Sequence, residues 1–276
     1  MPLKLTCLIF SFLLISYPSF AYELCGQPQQ GKIIIGFAPN ATKAEINNTQ
    51  ITPDKQGIFL FALERDQQAT TTIKFHHQDT LSEHQFKVDP FTWDVQNIKG
   101  IPPRKVTPSE SDIKAIDFEQ KSVRRAQQTQ TNTPYWRKGF IMPVEGRTSG
   151  NFGGQRIMNG IKKNPHSGMD IAAPSGTPIK SSGDGVVTLA ENDLFYSGNV
   201  VIIDHGYGLH TIYAHLQQIN VKNGDFIKQG DIIGTVGTTG RATGPHLHWG
   251  ASVHGTKFNP LSLLNINKAN EFCFTL

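Results

Sequence analysis

Residues 165–180, PHSGMDIAAPSGTPIK, open the part of the chain that decides its fold. Two later segments belong with it: residues 209–216 read LHTIYAHL, and residues 243–250 read TGPHLHWG. Short runs of β-branched and aromatic residues between glycines and prolines predict strands, here antiparallel strands joined by tight turns. The three segments also carry four histidines and one aspartate as candidate site residues.

The sequence HLH places two imidazoles on one face of a predicted strand. Side chains alternate along a strand, so His246 and His248 point the same way while Leu247 points into the opposite layer. His215 ends the apolar run LHTIYAHL and is expected to project from a neighbouring strand.

His166 and Asp170 lie four residues apart, a spacing that would bring them together on a helix. Gly168 and the following IAAP argue against a helix, so we predict a loop that runs into a strand. A catalytic zinc takes about three protein ligands and keeps one open position. Four histidines and one carboxylate suffice for such a site plus two acid/base groups.

The motifs HSGMD, YAHL and PHLHWG, in this order, resemble the M23 family of zinc metallopeptidases, the LytM and lysostaphin type. The resemblance covers roughly residues 147–263. The segments SGNFGGQRIMNG and GDGVV are in addition similar to peptidoglycan endopeptidases of Gram-negative envelopes. The resemblance therefore implies a peptidase domain built on an antiparallel β-sheet.

The resemblance implies one Zn²⁺ per chain, held by His166, Asp170 and His248, with His215 and His246 as the catalytic histidines. It implies cleavage of peptide crosslinks in peptidoglycan, a D-alanyl–diaminopimelate bond being expected before a glycine bridge. Two alternatives remain open. One is a non-catalytic M23-like activator of cell-wall amidases, and the other is a secreted bacteriolytic peptidase or carboxypeptidase.

Residues 1–21 are typical of a secretory signal peptide, with Lys4, an apolar core and small residues Ser19 and Ala21 before the cut. No later apolar run is long enough to span a bilayer. We expect an exported protein, in the periplasm or alternatively released to the medium. The formal net charge of +4 suits an anionic envelope, and no basic run or aromatic stacking motif indicates nucleic-acid binding.

The glycine, proline and threonine content favours a mostly β protein, and we predict a small β domain over residues 22–101. The family resemblance implies a peptidase domain over residues 135–276. The β domain is expected to be a sandwich, Ig-like in outline, because turn residues separate four short β-rich runs: KIIIGFA, GIFLFALE, TTIKFHH and EHQFKVD. Such a domain would either restrain the peptidase or target it. His76, His77 and His84 are expected to be strand residues without a metal.

Residues 102–134 are predicted to be a linker that contains one helix. Ser109 is a candidate N-cap with Asp112 three residues on. Ile113, Ile116 and Val123 are predicted to form an apolar stripe, with Phe118 near its edge. A solvated linker helix packed on one domain is the preferred interpretation, and a gate or partner-binding helix is the alternative.

Two cysteines, Cys25 and Cys273, remain after removal of the signal peptide. In an oxidising compartment they either pair or stay as free thiols, and sequence alone does not decide between these outcomes.

Histidines outside the motifs, His205 and His210, are interpreted as surface or strand-end residues at the cleft rim. Asn151, Phe152 and Arg156 are expected to shape the cleft wall.

Overall fold

The structure is a computed structural model of the 276-residue chain. It describes residues 22–276, except for the side chains of residues 269–275. The predicted signal peptide, residues 1–21, lies outside the described residues. No helix in the described part of the chain has the length and apolarity needed to cross a membrane.

Strands dominate the described chain, as expected. Eight strands precede the linker: β1 (Glu23–Cys25), β2 (Ile33–Phe37), β3 (Lys43–Ile46), β4 (Thr49–Ile51), β5 (Ile58–Ala62), β6 (Thr70–His76), β7 (Leu81–Lys87) and β8 (Val95–Ile98). The linker contains α1 (Pro103–Val106), α2 (Glu110–Gln128) and a 3₁₀ turn (Tyr135–Lys138).

The remaining elements are twelve strands of the peptidase-like part, a 3₁₀ segment and a last strand: β9 (Arg147–Gly150), β10 (Gln155–Met158), β11 (Ile161–Lys162), β12 (Gly168–Ala172), β13 (Pro178–Lys180), β14 (Gly185–Leu194), β15 (Gly198–Asp204), β16 (Leu209–Ile219), β17 (Phe226–Ile227), β18 (Ile232–Val236), β19 (His246–Val253), β20 (Thr256–Phe258), the 3₁₀ segment Pro260–Phe272 and β21 (Cys273–Thr275).

The first strands form two four-stranded sheets, ordered β21-β1-β2-β5 and β4-β3-β6-β7. Both sheets contribute side chains to one buried cluster, including Ile34 and Phe59 from the first and Ile73 and Phe75 from the second. Strand β6 alternates as a half-buried strand should, with Thr71, Ile73 and Phe75 inside. The predicted sandwich is thus present, and the four predicted β-rich runs correspond to β2, β5, β6 and β7.

The C-terminal strand returns to the N-terminal sheet. β21 pairs with β1, and the register places Cys273 opposite Cys25. Cys25 is disulfide-bonded, so the free-thiol alternative is wrong for this residue. The end of the chain is therefore held beside its first strand.

The peptidase-like part is built on a ten-stranded sheet whose main path is β17-β14-β15-β16-β19-β12-β9. All of the strand pairs in this sheet are antiparallel, as predicted for glycine-punctuated strands. Its central strands β15 and β16 are buried over almost their whole length. The strands that carry the motif histidines therefore lie on a rigid scaffold.

Two further contacts join the N-terminal strands to the peptidase-like part. β8 pairs in parallel with β10, in the hairpin before the HSGMD motif. Ile33, Leu60 and Ala62 belong to the same buried cluster as Trp249 and Phe258. The two parts thus share apolar contacts as well as a linker.

Helix α2 begins as predicted but presents a different face. The backbone N–H of Ser109 donates to Asp112 Oδ2 (3.0 Å), which forms half of a capping box. Ile113 and Phe118 are 58% and 55% exposed, so the predicted apolar stripe is wrong for Ile113, whereas Ile116 is half-buried and Val123 packs against the sheet. The buried residues of α2 are Asp112, Glu119 and Ala126. Asp112 pairs with Arg104 of the linker, Glu119 accepts hydrogen bonds from the turn after β14, and Ala126 packs against the sheet.

We predict that Leu60→Ala lowers the free energy of unfolding by about 2–5 kcal/mol, because a fully buried leucine is replaced by a cavity between the two parts. Leu60 is 0% exposed, whereas Leu81, the control, is 56% exposed. Urea unfolding followed by circular dichroism measures both variants. Equal losses in Leu60→Ala and Leu81→Ala would contradict a shared core.

Candidate active site

Strands β12 and β19 bring two of the motifs side by side. They pair antiparallel, with Asp170 opposite His248 and Ala172 opposite His246. Leu247, between the two histidines, is 0% exposed and packs in the core cluster. The predicted alternation along HLH is therefore present, and both imidazoles lie on the cleft face of the sheet.

His166, Asp170 and His248 converge on one point. Asp170 Oδ1 lies 3.0 Å from His166 Nε2 and 2.9 Å from His248 Nδ1. The two nitrogens are 3.0 Å apart. Ligand atoms around a tetrahedral zinc with bonds near 2.1 Å are about 3.4 Å apart, so two imidazole nitrogens and a carboxylate oxygen at these separations fit a zinc ion with little adjustment.

Among the described residues, this group of three is the one cluster of His, Cys, Asp and Glu side chains arranged to hold a metal. His166 precedes β12 and Asp170 lies within it, as expected for a loop that runs into a strand. Gly168 between them is required by the close approach of β19, since a Cβ there would lie 2.8 Å from the ring of His248.

Burial and hydrogen bonding set the charge of these groups. Burial by itself raises the pKa of Asp170, but hydrogen bonds with His166 and His248 overcome it and hold that pKa well below its usual value. Burial lowers the pKa of His166 to about 4 and also lowers that of His248. Near neutral pH the carboxylate is ionised and the imidazoles are neutral, which are the forms that bind a metal.

Two outer contacts orient the candidate ligands. His166 Nδ1 donates to the backbone oxygen of Asn151 (2.9 Å), which leaves Nε2 for a metal. Arg156 Nη2 donates to Asp170 Oδ2 (2.6 Å) and leaves Oδ1 for the two histidines. Asn151 and Arg156 were predicted only to shape the cleft wall. The contacts of Asn151 with His166 and of Arg156 with Asp170 could not be predicted from the spacing of these residues in the sequence. Phe152 does not contact the candidate ligands and is buried against Trp93.

His215 and His246 face each other beside the three converging atoms, with ring centroids 4.8 Å apart. His215 Nδ1 donates to Thr239 O (2.8 Å), and His246 Nδ1 donates to Gly244 O (2.9 Å). Each Nε2 therefore carries the free lone pair. His246 Nε2 lies 3.8 Å from Asp170 Oδ1. Burial lowers the pKa of His215 to about 3, with further lowering by His246 and His248.

A β-bulge in β16 directs His215 into the cleft. Asn199 pairs with Leu216 and Val201 with Tyr213, so two residues of β16 face one residue of β15. His215 has φ +65°, a left-handed conformation that is uncommon for a residue with a side chain. Regular alternation would put His215 on the core side with Tyr213. The bulge instead places it beside His248, and bulges are common next to active sites.

His205 and His210 have structural roles. His205 and His210 are fully buried, so their interpretation as surface or cleft-rim residues is wrong. His205 bonds to Asp184 O (2.6 Å) and Thr211 Oγ1 (2.7 Å). His210 donates from Nε2 to Thr129 O (2.8 Å). Each ring forms a hydrogen bond with a backbone carbonyl, His205 with Asp184 and His210 with Thr129.

Helix α2 covers the cleft. A cavity of about 540 Å³ lies between the helix and the sheet, lined by Glu119 and Gln127 on one side and by Arg156, His215 and His248 on the other. The cavity shows that the candidate site is reached beneath the helix.

The carboxylate of Glu119 fastens the helix to the turn between β14 and β15. It accepts hydrogen bonds from the backbone N–H of Tyr196 (2.7 Å) and of Ser197 (3.0 Å) and from Ser197 Oγ (2.6 Å). At the other end, Gln127 Nε2 donates to Ser252 Oγ (2.8 Å). Glu119 is 6% exposed, so these charge-assisted bonds form largely away from water.

The amino-acid sequence is similar to a known protein family and to individual proteins of known name. Residues 164–260 match the model of peptidase family M23. The chain is 47% identical over 98 residues to the DD-carboxypeptidase/endopeptidase Mpg of Neisseria meningitidis serogroup B, which is 36% of this chain and 22% of that protein. It is 46% identical over 116 residues to the peptidoglycan DD-endopeptidase ShyA of Vibrio cholerae, 42% of this chain and 27% of that protein.

A solved structure supports the same conclusion for the fold. The crystal structure of a putative peptidase M23 from Pseudomonas aeruginosa matches with a TM-score of 0.67 and 25% identity, over 87% of this chain and 96% of the other. The chain spans about a quarter of the length of the curated relatives named above. The family resemblance predicted from HSGMD, YAHL and PHLHWG is confirmed: residues 164–260 form a domain of peptidase family M23.

Proposed function

We propose that this protein is a zinc-dependent endopeptidase that cleaves the peptide crosslinks of bacterial peptidoglycan. The observation that carries the proposal is the convergence of His166 Nε2, Asp170 Oδ1 and His248 Nδ1 beside two imidazoles with free Nε2 atoms. The names of the relatives, a DD-carboxypeptidase/endopeptidase and a peptidoglycan DD-endopeptidase, support the substrate.

In this proposal His166, Asp170 and His248 hold one zinc ion. When bound, zinc supplies a Lewis acid that polarises a carbonyl and lowers the pKa of water from about 15.7 to about 7. Arg156 donates a hydrogen bond to Asp170 Oδ2, which favours the ionised carboxylate and leaves Oδ1 for the metal. With two neutral imidazoles and one ionised carboxylate, the three side chains carry a net charge of about −1, which favours binding of a divalent cation.

His215 and His246 act as the acid/base pair. In each ring Nδ1 is held by a backbone carbonyl, so Nε2 is directed away from that carbonyl. One imidazole accepts the proton of the attacking water at Nε2, and an imidazolium donates a proton to the departing amine nitrogen. The imidazolium also stabilises negative charge on the carbonyl oxygen. Both rings are positioned by backbone carbonyls, so no side-chain partner is needed to orient them.

The location and domain division complete the proposal. We propose a signal peptide over residues 1–21, a β domain over residues 22–101, a linker over residues 102–134 and the peptidase domain over residues 135–276. Export to the periplasm would bring the enzyme to its substrate. An Ig-like topology for the sandwich stays a prediction. Within the substrate, the D-alanyl–diaminopimelate bond is the proposed target.

The alternatives differ in what the site must do. A non-catalytic activator has no need for a complete set of converging donor atoms, which this chain retains. Carboxypeptidase activity has a specific observation in its favour, because the related Mpg carries both activities in its name. Product masses from defined crosslinked and uncrosslinked muropeptides would separate endopeptidase from carboxypeptidase cleavage.

We predict that Asp170→Ala loses most of the zinc bound by the mature protein, expected at about one ion per chain, because two neutral histidines remain without a carboxylate. Metal content is measured by mass spectrometry after dialysis. Asp79→Ala is the control, since Asp79 is an exposed carboxylate in the β domain. Full zinc occupancy in Asp170→Ala would remove Asp170 from the ligand set.

We predict that His246→Ala and His215→Ala keep zinc and lose about 10²–10⁴-fold in kcat, because each lacks one positioned acid/base group. His248→Ala should lose both zinc and activity. His215→Asn provides a second test at that position, since asparagine tolerates the left-handed backbone better than alanine. Zinc content and crosslink cleavage are measured on each folded variant. If His246→Ala lost zinc and His248→Ala kept it, His246 would be the metal ligand and His248 the catalytic histidine.

We further propose that the N-terminal part, through helix α2, restrains the peptidase rather than targets it. A chain starting near Tyr135 should by this hypothesis cleave faster. The β8–β10 ladder and the packing of Leu60 make that truncation a poor test, because it would expose sheet edge and core. A substitution in the full chain leaves these contacts in place.

We predict that Glu119→Ala increases the cleavage rate by about tenfold, because a charge-assisted bond contributes about 1.5–3 kcal/mol to closure and 1.4 kcal/mol corresponds to a factor of ten. Glu110→Ala, at an exposed position of the same helix, is the control. Muropeptide cleavage by the zinc-loaded proteins is measured. An unchanged or lower rate in folded Glu119→Ala would favour targeting as the role of the N-terminal part.

A further inference from the structure

Arg241 lies in the loop between β18 and β19, just before the HLH motif. Its guanidinium stands 4.3 Å from the centroid of the Tyr196 ring. Its backbone N–H donates to Tyr196 O (2.8 Å). The ring contact and the backbone bond restrict the positions open to the guanidinium, so less side-chain freedom is lost when a ligand binds its donors.

The guanidinium of Arg241 has no side-chain ion pair or hydrogen bond among the described residues. Burial lowers its pKa, and the nearby Tyr196 and Glu119 only partly counter that effect through space. Glu119 is not available as a partner because both its oxygens accept bonds from the turn at Tyr196 and Ser197. Arg156, by contrast, is paired with Asp170. A half-buried cation without a partner is favoured when an anion binds beside it.

The loops around Arg241 also hold a candidate catalytic histidine. Thr239, two residues before Arg241, accepts the Nδ1 proton of His215. Ser197, next to Tyr196, accepts the backbone N–H of His215 (2.9 Å). Arg241, Tyr196, His215 and His248 line the same cavity of about 540 Å³. Arg241 is therefore placed on the His215 side of the cleft.

The cleft continues into a second cavity of about 660 Å³ that is strongly basic. Its lining contains five cationic side chains and no aspartate or glutamate: Arg156, Lys162, Lys163, Arg241 and Lys257. Arg241 and Tyr196 line both cavities. Such a field attracts an anionic peptide and places its negative charge near the point where the cavities meet.

We propose that Arg241 is a specificity-determining residue that binds a carboxylate of the substrate peptide close to the scissile amide. The inference rests on the proposed cleavage of peptide crosslinks and names the chemistry by which the cleft selects among them. A carboxylate accepts two parallel hydrogen bonds from a guanidinium, whereas a carboxamide presents one acceptor and no charge. The cleft therefore selects crosslinks with a free carboxylate over those in which it is amidated.

The first test compares cleavage of two crosslinked muropeptides that differ only in whether the diaminopimelate carboxylate beside the scissile amide is free or amidated. The wild-type protein should prefer the free carboxylate through KM. Arg241→Gln should raise KM for that substrate about 10–100-fold, the loss of a charged hydrogen-bonded pair, with kcat nearly unchanged. Its KM for the amidated substrate should change little, and Arg241→Lys should restore part of the preference.

Arg125→Gln is the matched control, an arginine exposed on helix α2 and outside both cavity linings. Thermal unfolding of all variants accompanies the kinetics. An equal loss on both substrates in Arg241→Gln would assign Arg241 to the positioning of His215 instead. A wild-type protein without preference between the substrates would overturn the proposal.

Binding separates this inference from the proposed function. The full-length His246→Ala variant is titrated calorimetrically with the same two peptides. Tighter binding of the free-carboxylate peptide by about tenfold or more, lost on adding Arg241→Gln, would support the carboxylate site even if the wild-type protein cleaved neither peptide. Equal binding of both peptides, or binding of neither, would overturn it.

Discussion

The ionised carboxylate of Asp170 is the interaction on which the site depends. A mostly buried carboxylate is costly unless it is paired. Here one oxygen faces His166 and His248 and the other accepts a bond from Arg156. These contacts bring three segments of chain to one point. The same arrangement keeps two neutral imidazole nitrogens and one anionic oxygen within bonding reach of a single cation.

The sheet supplies the precision of this arrangement. β12 and β19 are neighbours in a ladder whose register sets Asp170 opposite His248, and β16 lies on the other side of β19. Because the inward faces of these strands are packed with apolar side chains such as Leu247, Tyr213 and Ile171, the outward histidines cannot shift without disturbing the core. The rigidity of the site is thus a consequence of burial on the opposite face.

Charged side chains line the cleft between helix α2 and the sheet. The cleft is lined by arginine and lysine side chains, and helix α2 turns Glu119 toward it. Glu119 does not neutralise those cations directly but binds backbone N–H groups at the rim. The helix is therefore fastened by a bond to the turn, while Arg241 keeps its donors for another anion. The apolar groups that α2 buries, Val123 and Ala126 against the sheet, are few, which suits a cover that can be lifted.

Much of this protein was predictable from local sequence. The alternation in HLH, the β-rich runs of the sandwich, the capping box of α2 and the family resemblance depend on residues close together in the chain, and the structure or the comparisons confirm them. The face that α2 presents was not predictable, because it depends on the polar surface that the helix meets and not on its own periodicity.

Tertiary structure alone decided which side chains support the site. Alternation would have placed His215 with Tyr213 in the core, and a bulge formed by pairing with β15 turns it to His248 instead. Arg156, in the hairpin that pairs with β8, and Asn151, in the loop before that hairpin, contact the candidate metal ligands Asp170 and His166. Local sequence determined the residue types and strand periods, since these follow from backbone geometry. Register, bulges and long-range hydrogen bonds determined the site, because they arise only when distant strands pack together.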